Sequence, residues 1–443
     1  MPTIAAFTLG CKVNQYDTRA MIERFIADGY IETPFEDGGA DVVLINTCTV
    51  TAVGDQKSRQ AVRRASRLHP GAAIIVGGCL AQRDPDTLTA MRGEGVRLVL
   101  GTQKRSEVVA LLEEALQQAE PLVAVDDAIE RAFEPLTVSA SGEGRTRATL
   151  KIEEGCDSHC TYCIIPSVRG RVRSRPVSEI RSEASRLADG GYLEIVVTGV
   201  NLSAYGKDLT DENGVAVTLA DAIEAIADSG VKRIRFSSLE PGIISGAFVE
   251  RIKRIPALCP HFPLALQSGS DAVLKRMGRG YTSAEYMSAA ELLREAFPDS
   301  ALTTDVLTGF PGETMEQFEE TARFVEAVGF ARIHVFPYSK REGTPAARLP
   351  GQLTSAVKAE RARLLIELGQ ELEKRYVARM IGQVRAVLFE RTSDGGGEGY
   401  TPEYVRVFAD CADKRLSGSV AKARLVEITE RGVRGVLIGR QHP

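Results

Sequence analysis

No stretch of the 443-residue chain reaches the roughly 18 uninterrupted apolar residues that a membrane-spanning helix needs, although hydrophobic residues make up 44% of it. The N-terminal MPTIAAFTLGCK has neither the basic n-region nor the apolar h-region of a secretory signal and reads as a strand. The expected location is therefore cytoplasmic, with no membrane partner. Strong charge of one sign is also missing. With 55 Lys+Arg against 59 Asp+Glu, the net charge of −4 argues neither for nor against a nucleic-acid partner. There is no internal repeat beyond an alternation of strand and helix patterns. Against this plain background stand eight cysteines, which in a long chain without a signal point to metal or catalysis and away from disulfides.

A chain of this length accommodates about two to four domains. Residues 1–125 alternate buried strands (TIAAFTLGC, DVVLINTC, AAIIVGGC) with helical spacing (YDTRAMIERFIADGY, DQKSRQAVRRASRLH), the pattern of an open parallel α/β domain. Residues 126–147 lack periodicity and read as a linker. A second unit is expected over 142–375. Within it six apolar runs, ATLKI, LEIVVTG, RIRFSSLE, FPLALQSG, LTTDVLTGF and ARIHVFPYS, are separated by helical stretches. Six βα units fit a partial TIM-like barrel, since a full one has eight. A charged helix over roughly 353–380 leads into short β-type runs interrupted by SDGGGEG and SGS, so residues 377–443 are expected to form a small β-barrel.

Cys156, Cys160 and Cys163 form a C-x-x-x-C-x-x-C run after the first strand of the second unit. Three thiolates can hold three irons of a 4Fe-4S cube and leave the fourth open for a ligand from elsewhere. A zinc reading would need a fourth protein ligand, for which His159 is the local candidate, and a smaller, cysteine-dense module. Cys11, Cys48 and Cys79 are far apart in sequence, yet each ends a strand of the parallel sheet. In an open α/β sheet those ends line one crevice. Core packing explains one such cysteine well and three poorly. Cys259 and Cys411 have no such company and read as structural or incidental.

With Tyr162 before its last cysteine, the run resembles the radical S-adenosylmethionine superfamily. That resemblance implies a (βα)6 barrel and S-adenosylmethionine as the ligand of the fourth iron, cleaved to a 5′-deoxyadenosyl radical. It also implies cofactor contacts from the C-terminal ends of barrel strands: Gly199 and Asn201, Ser237 and Glu240, Gln267 and Ser268, Gly309, Gly312 and Glu313, although Gly and Pro also simply punctuate such turns. LGCKVNQYDT, LINTCTV and VGGCLAQ, together with GCDSHCTYCIIPSVRGRVRSR, LQSGSDAVLKRMGRGYT, TDVLTGFPGET and FPYSKREGTPA, are similar to the motifs of the methylthiotransferases over essentially the whole chain. Pro263, where several relatives carry His, departs from the pattern. The family implies two 4Fe-4S clusters, the second on Cys11, Cys48 and Cys79, facing each other across one cavity, and an electron donor such as flavodoxin or ferredoxin.

The C-terminal unit resembles the TRAM module, an RNA-binding β-barrel, and its residues 377–443 carry eleven Lys/Arg against eight Asp/Glu. A positive module on an otherwise negative chain suits a phosphate-bearing partner, here expected to be a tRNA anticodon stem-loop. On the helix KSRQAVRRASR, which also carries Lys57 and Arg64, Arg59, Arg63 and Arg67 share a face. Arg169, Arg171, Arg173 and Arg175 alternate, so an extended strand would place all four on one side. Within the family, Lys12, Val13, Asn14, Asp17 and Thr18 favour the branch that acts on carbon 2 of threonylcarbamoyladenosine. Arg169, Arg171 and Arg173 are then candidates to read its carboxylate. The competing readings are a methylthiotransferase acting on isopentenyladenosine tRNA or on a ribosomal protein, and a non-catalytic RNA-binding iron–sulfur protein.

Overall fold

A computed structural model describes residues 1–126, 129, 132–139, 146–393, 396–410 and 416–438. Strands β1 (Thr3–Thr8), β2 (Ile31–Glu32), β3 (Val42–Thr47), β4 (Ala73–Gly78), β5 (Val96–Leu100) and β6 (Leu122–Ala124) form one parallel sheet in the order β2-β1-β3-β4-β5-β6. VVLINT and AIIVGG read as continuous apolar runs because β3 and β4 are central and covered on both faces. One face packs Val43, Ile45 and Val76 against Ala61, Val62 and Ala65 of the helix Ala52–Leu68. The other packs Leu44, Ile75 and Leu98 against Met21, Ile22 and Phe25 of the helix Lys12–Ala27.

The second unit begins with β7 (Arg147–Lys151). A short antiparallel pair follows, β8 (Glu153–Glu154) with β9 (Arg173–Ser174). Then come β10 (Glu194–Thr198), β11 (Arg233–Phe236), β12 (His261–Pro263), β13 (Ala301–Thr308) and β14 (Arg332–Pro337). Parallel pairing runs β7-β10-β11 and β12-β13-β14. The halves join where Leu239 N–H donates to Pro263 O at 2.7 Å and Ala265 N–H donates to Leu239 O at 2.8 Å. The six apolar runs are thus the six strands of a partial barrel. Its helices close the largest core, with Phe236, Phe262, Tyr286 and Phe330 fully buried.

The charged helix spans Ser355–Ala378, with Thr354 accepting from Val357 N–H as its N-cap. Beyond it, β15 (Val384–Ser393), β16 (Gly396–Tyr400), β17 (Arg406–Ala409), β18 (Ser419–Thr429) and β19 (Gly432–Leu437) close into a five-stranded barrel, order β15-β16-β17-β19-β18. This small barrel seals the N-terminal ends of the large barrel's strands. Arg233 donates to Tyr400 O and Ala386 O, and Arg235 donates to Pro402 O. Among its described residues, the stretch expected to be a linker is not a free tether: Leu136 and Val138 are buried against Tyr16 and Ala20. Cys411 lies outside the described residues. No helix among the described residues is long and apolar enough to cross a membrane.

Candidate functional site

Cys156, Cys160 and Cys163 occupy the loop between β8 and the short helix Ile165–Arg169. Gly155, at φ +85°, lets that loop fold back: a Cβ there would lie 1.9 Å from Arg171 O. Cys156 N–H donates to Gly170 O, Cys163 N–H to Cys160 O, and Thr161 N–H to Met277 O, so the backbone is pinned on both sides. Two side-chain donors reach the thiols: Asn201 Nδ2 lies 3.5 Å from Cys156 Sγ, and an Arg279 nitrogen lies 3.3 Å from Cys160 Sγ. Arg279 also pairs with Glu240 and lies over the Tyr281 ring. Asn201 N–H donates to Glu153 Oε2 at 2.6 Å, while the buried Asn201 Oδ1 has no partner. Burial pushes the Cys163 thiol up to about 12, so a cationic partner is needed to draw out the thiolate.

Cys11 is the exposed N-cap of the helix Lys12–Ala27, Cys48 follows β3, and the buried Cys79 opens the helix Cys79–Arg83. Their loops touch: a Cβ on Gly10 would lie 2.9 Å from Cys48 Cβ. The strand order reverses between β1 and β3, and the crevice at such a switch point is where open α/β sheets bind ligands. Cys79 packs against Ile164 and Val168, beside the first cysteine loop. Burial pushes Cys79 up to about 11, while Arg169, whose Nε donates to Cys79 Sγ at 3.2 Å, pulls the other way.

The donor sets can be tested against the groups they would hold. All six cysteines carry free thiols. Among the described residues, no three His, Cys, Asp or Glu side chains converge as a single metal ion demands, and His159 is exposed. Tetrahedral zinc, with its bonds to sulfur of about 2.3 Å, requires that convergence. In an iron–sulfur cube each thiolate takes a different iron, so thiols spread along a loop or across three strand ends fit a cluster better.

The sheet domain covers the C-terminal ends of the barrel strands through two polar seams. In the buried one, Asp17 meets Lys151, Arg105 and Arg169, and Glu154 meets the same three cations. Arg169 also donates to Asn14 Oδ1 at 2.5 Å. In the second, Arg341 and Arg83 converge on Asp55. This overturns the expectation of one arginine face after the cluster. Arg169 ends a helix, Arg173 lies in β9, and both are buried, as is Arg175, which pairs with Glu183. Arg171 alone is open, 84% exposed and paired with Asp157. Backbone turns between these residues break the alternation, and buried carboxylates consume the charge. On the helix Ala52–Leu68, Arg63 and Arg67 are exposed and Arg59 is partly so.

Of the other strand-end residues, Glu240 reaches the first cysteine loop through Arg279 and Gly199 abuts Glu153, where a Cβ would lie 2.7 Å from Oε2. Ser237 lines the barrel lumen, and Gln267 adopts a left-handed φ of 65°. Tyr162 packs beside Met277 and Phe310. Ser268 is fully buried and bonded to Thr321, Glu313 pairs with Arg361, and Gly309 N–H donates to Glu313. Gly312 N–H donates to Gly351 O. The Ser268 and Glu313 contacts brace turns against neighbouring helices, and the two glycine contacts tie the turns themselves. Sequence reasoning missed Arg279, Glu153 and the Asp17–Glu154 seam. Arg279 stands in the quoted MGRGYT run, but no spacing rule marks it.

A cavity of about 500 Å³ runs through the lumen, lined by Lys12, Ser237, Ser238, Asp305, His334 and residues nearer the small barrel. The family description "Radical SAM superfamily" matches residues 150–325, and "Uncharacterized protein family UPF0004" matches residues 3–101. The threonylcarbamoyladenosine tRNA methylthiotransferase MtaB of Bacillus subtilis is 41% identical over 96% of this chain and 94% of its own. A tRNA-2-methylthio-N(6)-dimethylallyladenosine synthase of Mycobacteroides abscessus is 36% identical over 96% of this chain and 82% of its own. Among solved structures, the radical S-adenosylmethionine methyltransferase TsrM from Kitasatospora setae shares the fold. Its TM-score is 0.54 at 15% identity, over 78% of this chain and 77% of that one.

Proposed function

This chain belongs to the radical S-adenosylmethionine tRNA methylthiotransferases, and from that premise we propose that it adds a methylthio group to carbon 2 of N6-threonylcarbamoyladenosine beside the tRNA anticodon. The observation that carries the reading is the packing of Cys79 against Ile164 and Val168, which sets the second cysteine crevice against the first cysteine loop at the mouth of one lumen. Cys156, Cys160 and Cys163 would hold one 4Fe-4S cluster, and Cys11, Cys48 and Cys79 the other. When bound, the two clusters and S-adenosylmethionine supply one-electron cleavage chemistry and the sulfur to be transferred.

The chain's own residues bind, orient and exclude water. Arg279 and Asn201 donate to the first loop's sulfurs, and such hydrogen bonds tune a cluster. Asn201 Oδ1, buried and free, can accept from the amino group of S-adenosylmethionine. Arg169 does for Cys79 what Arg279 does for Cys160. The substrate base lies in a single-stranded loop, so turning it into the lumen costs about a few kcal/mol. The small barrel, read as a TRAM module, would track tRNA phosphates, and a flavodoxin- or ferredoxin-like protein would supply electrons. Because relatives named for both activities align along the chain, isopentenyladenosine is the second substrate reading.

The test offers purified, anaerobically reconstituted enzyme two tRNAs, one bearing each modification, followed by nucleoside mass spectrometry. Methylthio product from the threonylcarbamoyl tRNA is expected. Product from the isopentenyl tRNA alone reverses the substrate, and a methylthiolated ribosomal protein with neither tRNA modified removes RNA as the target. No cleavage of S-adenosylmethionine after cluster reduction would leave only an RNA-binding iron–sulfur protein.

A further inference from the structure

Three arginines line the lumen cavity with Lys12: Arg147, Arg235 and Arg332. The three arginines lie toward the small barrel and are already spent, Arg147 on Glu390, Arg235 on Glu194 and Arg332 on Glu373. Lys12 differs. It is the residue directly after Cys11 and the first of its helix, it is exposed to the cavity, and among the described residues it has no ion-pair partner. Opposite it, Asp305 and His334 are register partners on β13 and β14 and project into the same space. Phe336, two residues further along β14 and therefore on the same face, is 51% exposed.

We propose that Lys12 is the specificity-determining residue that reads the carboxylate of the substrate's threonylcarbamoyl group inside the lumen. The inference rests on the substrate reading above. A cavity of about 500 Å³ is large enough to admit a modified nucleoside. The exposed Phe336 ring offers a stacking face for the base. Asp305 forms no ion pair with Lys12 and can accept from the threonine hydroxyl or the urea N–H. An isopentenyl group offers the ammonium nothing, so its cost of desolvation would stand uncompensated and the apolar analogue would be disfavoured. Arg169 and Arg173 cannot take this role, being buried. Arg171 cannot either, since it faces solvent outside the lumen.

The experiment compares reconstituted wild type, Lys12→Met and Lys12→Arg on tRNA bearing threonylcarbamoyladenosine and on the same tRNA with its carboxylate as the methyl ester. For Lys12→Met, kcat/KM on the acid should fall about 10- to 100-fold, mainly through KM, the size expected when a charged hydrogen-bond partner is removed. On the ester the wild type and Lys12→Met should differ far less, and Lys12→Arg should recover most of the preference for the acid. The acid-to-ester ratio is taken within each protein, so differences in folding or iron content cancel. Equal losses on acid and ester overturn the proposal, because a lysine gripping a tRNA phosphate or steadying the Cys11 loop would act on both alike. An unchanged ratio overturns it too. Isopentenyl tRNA is run with the wild type as a third substrate, and a wild type inactive on the acid tRNA but active on this one sinks the substrate reading instead.

Discussion

Cys156, Cys160 and Cys163 lie in one loop of contiguous sequence, whereas Cys11, Cys48 and Cys79 come from three loops that meet because β1, β3 and β4 are parallel neighbours. Each set holds three thiols, and Cys79 of the second packs beside the loop of the first. The first needs one short loop, braced by a few backbone contacts such as Thr161 N–H to Met277 O. The second needs an intact sheet, the crossovers that order its strands, and the seams that hold the sheet domain over the barrel. A local site tolerates loosening of the rest of the molecule, while an assembled site inherits the stability of everything that assembles it.

The largest effects should come from removing the thiols themselves. The reconstituted protein should bind about eight iron atoms, from two cubes. Replacing Cys156, Cys160 and Cys163 by Ala should halve the iron and abolish 5′-deoxyadenosine formation. Replacing Cys11, Cys48 and Cys79 should also halve the iron, yet leave cleavage of S-adenosylmethionine measurable by chromatography. Full iron retention in either triple variant would refute the two-cluster arrangement.

Breaking the buried seam should separate the two sets without touching a thiol. Asp17→Ala leaves Lys151, Arg105 and Arg169 facing one fewer carboxylate in a buried site, a loss that costs about 3–5 kcal/mol in such settings. Denaturant unfolding of the iron-free protein would read that cost. In the loaded protein, iron should leave the Cys11, Cys48 and Cys79 set first, which spectra of a variant carrying only one cysteine set can assign. Equal iron loss from both sets would mean that the second site does not depend on the seam.

Acid should act on the same seam with a definite sign. Burial pushes Asp17 and Glu154 up, but the cations around them outweigh it and hold both carboxyls below their ordinary values. Stability from a depressed carboxyl is fully present above the unfolded-state value, near about 4, and is lost as pH falls through the folded-state value. Unfolding free energy should therefore drop below that range. Asp17→Asn combined with Glu154→Gln should flatten the drop while lowering stability at neutral pH. A double variant with the wild-type acid slope would place the titration elsewhere.

How far the molecule could be read in advance follows the same division. Strands announced themselves through apolar runs, and the strand-end positions of Cys11, Cys48 and Cys79 followed from periodicity alone. The C-x-x-x-C-x-x-C spacing is local and equally legible. What stayed hidden is whatever depends on which loop meets which. The RGRVRSR run looked like a single basic face, but past the turn at Gly170 three of its four arginines are buried, Arg169 paired with Asp17 and Glu154, Arg175 with Glu183, and Arg173 donating to backbone carbonyls. Ser268 and Glu313 sit at strand ends as barrel chemistry suggests, yet face Thr321 and Arg361 on neighbouring helices. Arg279 stands in the MGRGYT run, but its bond to Cys160, more than a hundred residues away, follows from no spacing rule.

The smallest expected effect lies farthest from both cysteine sets. On the small barrel, Phe408 lies between the guanidinium groups of Arg406 and Arg431, 4.7 and 4.5 Å from its ring centre. Arg406 is paired with Glu398, whereas Arg431 is exposed and has no ion-pair partner among the described residues. An exposed, unpaired arginine held by an aromatic ring is the better placed of the two to meet a phosphate. Arg431→Ala should weaken tRNA binding only a few-fold and reduce the slope of log affinity against log salt by about one, the share of a single phosphate contact. Binding measured by fluorescence anisotropy across a salt series reads both numbers. S-adenosylmethionine cleavage without tRNA should be unchanged, since the small barrel seals the lumen at the end away from the thiols. An unaltered salt slope would show that tRNA is held elsewhere, with the exposed Arg63 and Arg67 face of the sheet domain the next surface to test.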